Sequence, residues 1–238
     1  MNSDKVNLCF VVGNGPSINA EMLDSIYGYK SFAMNGISSI FGSTIWRPSY
    51  MVSVTTAITE PVFREIIYAG VDHALIESYI YDPIGVPSKY KPVLLNPKYG
   101  DIHPNRIALN HWSDKPLEWI GKCGTTSFAV LQLAVWLGYT HIVLLGMDMN
   151  YSKPSNTDPN HYEGYPLSTV VSACIIDYDE LNLGHYRAHI TVKKICDYKG
   201  IVIVNATPGA SNDPYPAIDL RRNVLDVYPN PRKYNNVA

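Results

Sequence analysis

The feature that most constrains this chain is an apolar run that stops at a cluster of turn residues. Leu8, Cys9, Phe10, Val11 and Val12 follow one another without a polar break, and the run ends at Gly13-Asn14-Gly15-Pro16-Ser17. A strand apolar on both faces belongs inside a parallel sheet. The glycines permit a tight turn and let a ligand approach the backbone. Pro16 has no N–H and a fixed φ, which suits the first turn of a helix, with Asn14 or Ser17 as its cap or as a ligand contact. In open α/β sheets, the carboxyl ends of such strands are where nucleotides bind. An ordinary strand-to-helix turn has the same composition, so the rest of the chain must decide.

Further strands are predicted over 31–34, ending at Asn35-Gly36, and over 50–54, with Thr55 just beyond. Asn35 at a strand end offers an amide that can read a base or a ribose. Pro61 and the spacing of Val62, Ile66 and Ala69 predict a helix from Thr59 to about Ala69, followed by a strand over 73–77. Residues 79–110 are rich in Pro, Gly and Tyr and read as long loops around one strand at 92–95. Gly124-Thr125-Thr126-Ser127 opens a helix apolar on every side, and Gly138 closes it. A buried strand over 141–145 ends at Gly146-Met147-Asp148. Residues 149–182, with Tyr151, His161 and Tyr162, read as a flexible lid. A helix over 184–198 and a strand over 201–204 complete the alternation. Strands alternating with helices predict an α/β fold, a doubly wound, mostly parallel sheet in a single domain over 1–238.

A net charge of −2 over 238 residues argues against a nucleic-acid surface. No run of about 18 apolar residues is present to span a bilayer. Cys9, Cys123, Cys174 and Cys196 are scattered, which fits reduced thiols in the cytoplasm better than a disulfide frame or a zinc site. The chain starts almost directly in its first strand, leaving no room for a signal peptide. Lys193-Lys194 and Arg221-Arg222 read as solvated faces, with contact at the inner face of a membrane as the alternative. Asp177-x-Asp179 has the form of a metal-binding carboxylate pair, but such pairs are common. Asp148 either orients a sugar or caps its own turn.

Taken together, Val12-Gly13-Asn14-Gly15-Pro16-Ser17, Phe32-Ala33-Met34-Asn35, the helix from Thr125 to Tyr139, Ile142 through Asp148, and Asn160-His161-Tyr162-x-Gly164 resemble the bacterial sialyltransferases of the Campylobacter lipooligosaccharide type and the proteins that share their nucleotide-binding core. The resemblance covers about half the chain. It implies a Rossmann-like core and transfer of a sialic-acid-type sugar from a CMP-sugar donor to a glycan or glycolipid, with no cofactor and no metal. It implies that Asn14, Ser17 and Asn35 contact the donor nucleotide; Gly13, Gly15, Thr55, Thr126, Ser127 and Asp148, at neighbouring strand and helix ends, are expected to join them. It implies His161 as general base and Tyr151 and Tyr162 as phosphate ligands. Where the family has an acceptor-binding arginine, this chain has Cys123, with Lys122 beside it, and one phosphate tyrosine falls on Asn150. The chemistry is coherent: a histidine suits proton abstraction near neutral pH, and hydroxyls with a helix N-terminus can stabilise a leaving phosphate. An ATP- and Mg²⁺-dependent diphosphokinase of the pterin type and a non-catalytic nucleotide-binding protein are the alternatives. A homo-oligomer is compatible with all three.

Overall fold

The structure is a computed structural model that describes residues 6–54, 73–77, 93–95, 97–98, 111–153, 158–166, 177–210 and 214–228. Strands β1 (Leu8–Val12), β2 (Ser31–Met34), β3 (Tyr50–Ser53), β4 (His73–Glu77), β5 (Val93–Leu95), β8 (His141–Leu145) and β9 (Val202–Asn205) form one seven-stranded sheet. Every pairing in it is parallel. Two short strands, β6 (Pro97–Lys98) and β7 (Ile120–Gly121), pair separately. The sheet order is β5-β4-β3-β2-β1-β8-β9. The chain therefore builds outward from β1 in one direction, then restarts on its other side with β8. The order reverses between β1 and β8, and a crevice opens at that point beyond the carboxyl ends of the strands.

β1 shows why the run is apolar on both faces. Cys9 and Val11 point into one core with Phe32, Val52 and Leu144, while Phe10 and Val12 point into a second with Met51, Val143 and Leu145. The first core is closed by helices α2 (Thr126–Trp136) and α3 (Tyr178–Tyr198), through residues such as Phe128, Leu131, Ala188 and Val192. α2 has sheet on one side and α3 on another, so residues 126–134 are buried all round and only its last residues meet solvent. The second core is closed by the short helix α1 (Ala20–Ser25) and by Trp46, which is fully buried.

Several sequence expectations shift. The third strand ends at Ser53, and the last runs one residue later than predicted. α3 starts at Tyr178, not at 184, so the end of the predicted lid is helix. Asp177 is its N-cap, accepting from the Asp179 and Glu180 amides at 2.9 and 3.1 Å. The Asp177-x-Asp179 pair is thus a helix start. α1 begins at Ala20 under Asn19, not under Asn14 or Ser17, whose side chains are held elsewhere. Lys193 pairs with Asp197 at 2.6 Å, so that part of the basic surface is internally neutralised. Among the described residues no helix is long and apolar enough to cross a membrane. Thr55, the predicted helix at 59–69 and most of 79–110 lie outside the described residues.

Candidate functional site

A cleft of about 260 Å³ opens at the reversal point between β1 and β8. Its floor is two glycine turns hydrogen-bonded to each other. The Gly13 amide donates to Leu145 O at 2.8 Å, and the Gly15 amide to Gly146 O at 3.0 Å. A Cβ on Gly13 would strike the Gly146 carbonyl, and one on Gly15 would strike the Asp148 carboxylate. These glycines are needed because two backbones must touch. The Ser17 hydroxyl donates to Asp148 Oδ2 at 2.9 Å and locks the pair of turns. Burial raises the Asp148 carboxyl above its ordinary value, and the hydrogen bond from Ser17 works against that rise. Asn14 donates from Nδ2 to Met34 O at 3.1 Å, while its Oδ1 is a buried acceptor with no partner among the described residues. Asn14 lines the cleft, so that oxygen is open to a donor entering there.

The opposite wall is the start of α2. Gly124, Thr125, Thr126 and Ser127 line the cleft there. Thr125 is the N-cap, accepting from the Ser127 amide. The end of the helix that favours anions therefore faces the crevice. Asn35 ties this wall to the sheet: its Nδ2 donates to Thr126 Oγ1 at 3.3 Å, and its Oδ1 accepts from Ser53 at 3.5 Å. Asn35 does this at φ 51°, and the other non-glycine residues with positive φ among those described are Cys123 and Met149. Asn35 and Met149 line the cleft and Cys123 adjoins it. Positive φ is uncommon away from glycine, and two of these three residues line the cleft. Burial pushes the Cys123 thiol up to about 12, which disfavours its thiolate.

The third wall is the segment that carries His161. Its described parts are strapped down. Tyr151 and Asn182 exchange hydrogen bonds at 2.8 Å each, Ser152 and Asn160 do the same at 2.7 and 2.8 Å, and the Tyr162 amide donates to Asn14 O at 3.0 Å. His161 lines the cleft with Nδ1 2.6 Å from Asp158 Oδ2. Its ring lies flat on Tyr165, centroids 4.1 Å apart and planes 9° from parallel. Tyr151 also lines the cleft, and burial raises its phenol to about 12. Tyr162 is placed differently from the expectation. Its hydroxyl donates to Gly36 O at 3.0 Å and meets Ser39 at 2.6 Å within the second core. Tyr165 takes the position at the cleft instead.

The last wall is α3, whose Leu181, His185 and His189 face the cleft. His185 Nε2 lies 3.2 Å from Gly124 O. His189 bridges Ser127 and Tyr215, at 2.9 and 2.8 Å. Burial lowers both histidines, His189 to about 3 with His185 adding to the effect. Tyr165 and His189, which line the cleft, and Asp158, which holds His161, are the residues here that sequence reasoning misses. Two of them leave a signal: His185 and His189 are four apart on one helix face, and Asp158 is three residues from His161.

Of the residues expected to form the site, Gly13, Asn14, Gly15, Asn35, Thr126, Ser127, Asp148, Tyr151 and His161 line this single cleft, and Ser17 braces it through Asp148. No protein-family model and no curated protein matches the chain. Among solved structures, it is similar to the crystal structure of the monofunctional α-2,3-sialyltransferase Cst-I from Campylobacter jejuni. The TM-score is 0.48 and the identity 14%, over 93% of this chain and 84% of that one. A likeness so distant assigns no chemistry to this chain.

Proposed function

We propose that the protein is a CMP-sugar-dependent glycosyltransferase of the sialyltransferase type, with His161 as general base and a glycan or glycolipid hydroxyl as acceptor. The observation that carries this reading is the Asp158–His161 pair, set in the same cleft as the glycine turns and the start of α2. A carboxylate on Nδ1 fixes the tautomer that leaves Nε2 bare, so His161 has a lone pair for an incoming hydroxyl proton. The α2 N-terminus and the Tyr151 and Tyr165 hydroxyls are the groups on hand to stabilise a leaving phosphate. The sugar would pass through an oxocarbenium-like state, as glycosyl centres do. Asn14 Oδ1, buried and unpartnered, supplies the acceptor that the amino or hydroxyl groups of a cytidine would satisfy.

Ligand-induced stabilisation tests the reading. CMP or CDP at about 100 times its dissociation constant should add about 2.7 kcal/mol, with or without EDTA. A shift produced by ATP with Mg²⁺ alone, abolished by EDTA, and none with CMP or CDP would replace this reading with the diphosphokinase.

A further inference from the structure

His189 sits on the inner face of α3 and is 2% exposed. Its two ring nitrogens are both engaged, Nε2 with the Ser127 hydroxyl at 2.9 Å and Nδ1 with the Tyr215 hydroxyl at 2.8 Å. Ser127 is on the cleft wall, in the first turn of α2. Tyr215 comes from the far side, on a strand-like segment held to β9 by Asn205 N donating to Pro216 O and Ile218 N donating to Asn205 O, each at 2.9 Å. A hydrogen-bonded line therefore runs from the C-terminal part of the fold, through the middle of α3, to the cleft.

We infer that His189 and Tyr215 are positioning residues that turn the hydroxyl proton of Ser127 towards an oxygen of the bound ligand. The direction follows from the protons available. Burial keeps the imidazole neutral, so it carries one N–H. The Tyr215 hydroxyl is 2.8 Å from Nδ1 and also donates to His189 O at 3.3 Å. A phenol proton shared between these two goes mainly to the nearer, because an O–H donor bonds best at about 2.7–2.8 Å. Nδ1 is then an acceptor, and the ring proton is on Nε2. That N–H donates to Ser127 Oγ, which leaves the serine its own proton to give. Thr125 Oγ1, 2.8 Å away, takes it at rest. A phosphate or carboxylate oxygen over the helix start would compete for it, and the helix dipole would favour that exchange. With the opposite tautomer, Ser127 would spend its proton on His189 and show an anion only lone pairs.

The part of this inference that concerns CMP rests on the proposed CMP-sugar chemistry; the tautomer does not. Ring-nitrogen NMR of ¹⁵N-histidine-labelled protein, with His189→Gln to identify the resonance, should show a neutral Nε2–H tautomer that Tyr215→Phe disrupts. An Nδ1–H tautomer in the wild type overturns the inference. In CMP titrations, Tyr215→Phe should weaken binding about two- to tenfold, the worth of one hydrogen bond, and the effect should vanish in the Ser127→Ala background. An equal loss in both backgrounds overturns the coupling. If CMP fails to bind the wild type, the nucleotide chemistry falls, and the tautomer still decides the inference.

Discussion

Two histidines line the same cleft from different walls, and their surroundings give them different capacities. His161 lies in an irregular segment, its side chain 17% exposed, with a carboxylate on one nitrogen and a phenol ring beneath it. His189 lies inside a helix, fully enclosed, with a serine and a tyrosine on its nitrogens. A carboxylate stabilises the imidazolium that forms when a base takes a proton. Two neutral hydroxyls in a dry setting do not. Burial accordingly depresses His189 to about 3, which makes it a poor base at any physiological pH. If His161 is the base, as proposed, then it is the charge of its partner and not its place in the cleft that sets it apart from His189.

The comparison breaks most decisively on replacement of each histidine. His161→Ala should cost about 10²- to 10⁴-fold in turnover, the usual worth of general-base catalysis, while leaving CMP binding unchanged. His189→Gln, which keeps a donor near Ser127, should lower turnover by no more than about tenfold. Steady-state kinetics on both variants decide it; the reverse order of effects would make His189 the base.

Acid stability sharpens the same contrast. Below about pH 6.5 the unfolded chain protonates its histidines, while the folded chain holds His189 neutral down to about 3 and His185 neutral below its ordinary value. The unfolded state then binds more protons, so stability falls with pH across that window, by a few kcal/mol for His189 alone at an order-of-magnitude level. Asp148, whose carboxyl is raised by burial, takes up its proton earlier in the folded state and offsets a part of the loss. Urea midpoints between pH 7 and 4 should decline in the wild type and decline less in His189→Gln. Equal slopes would mean that His189 titrates normally.

Much of this architecture is legible in the sequence, for a physical reason. Parallel strands buried on both faces cannot hide polar residues, so β1 and β8 stand out as apolar runs, and their glycine-marked ends sit next to each other because the sheet order reverses between them. Buried α2 is legible for the same reason. Asp177 is ambiguous in the sequence because a cap and a metal ligand use the same carboxylate, and only the helix behind it tells them apart. Of the two helix starts expected at the site, that of α2 at Thr126 and Ser127 lines the cleft, while the one after Gly13–Ser17 is delayed to Ala20 because Ser17 is spent on Asp148. Tyr162 and Tyr165 cannot be distinguished by composition. The structure separates them at Gly36, where the Tyr162 hydroxyl bonds the carbonyl and the Tyr165 ring lies close by, and only Tyr165 lines the cleft.

The last contrast is the most specific. Asp158 touches no ligand in the proposed mechanism; it acts through His161 at 2.6 Å. Asp158→Asn retains a hydrogen-bonding side chain of nearly the same shape, so the segment should stay in place, but it removes the charge and allows the amide to present N–H to Nδ1. The ring would then place its proton on Nε2, the atom needed bare. Turnover should fall by up to about 10⁴-fold, the scale known when the carboxylate orienting a histidine base becomes an amide and the tautomer is wrong, with KM for the donor within about twofold. A rise in KM with kcat intact would mean that Asp158 shapes the donor pocket, and that the carboxylate which separates His161 from His189 has no part in moving the proton.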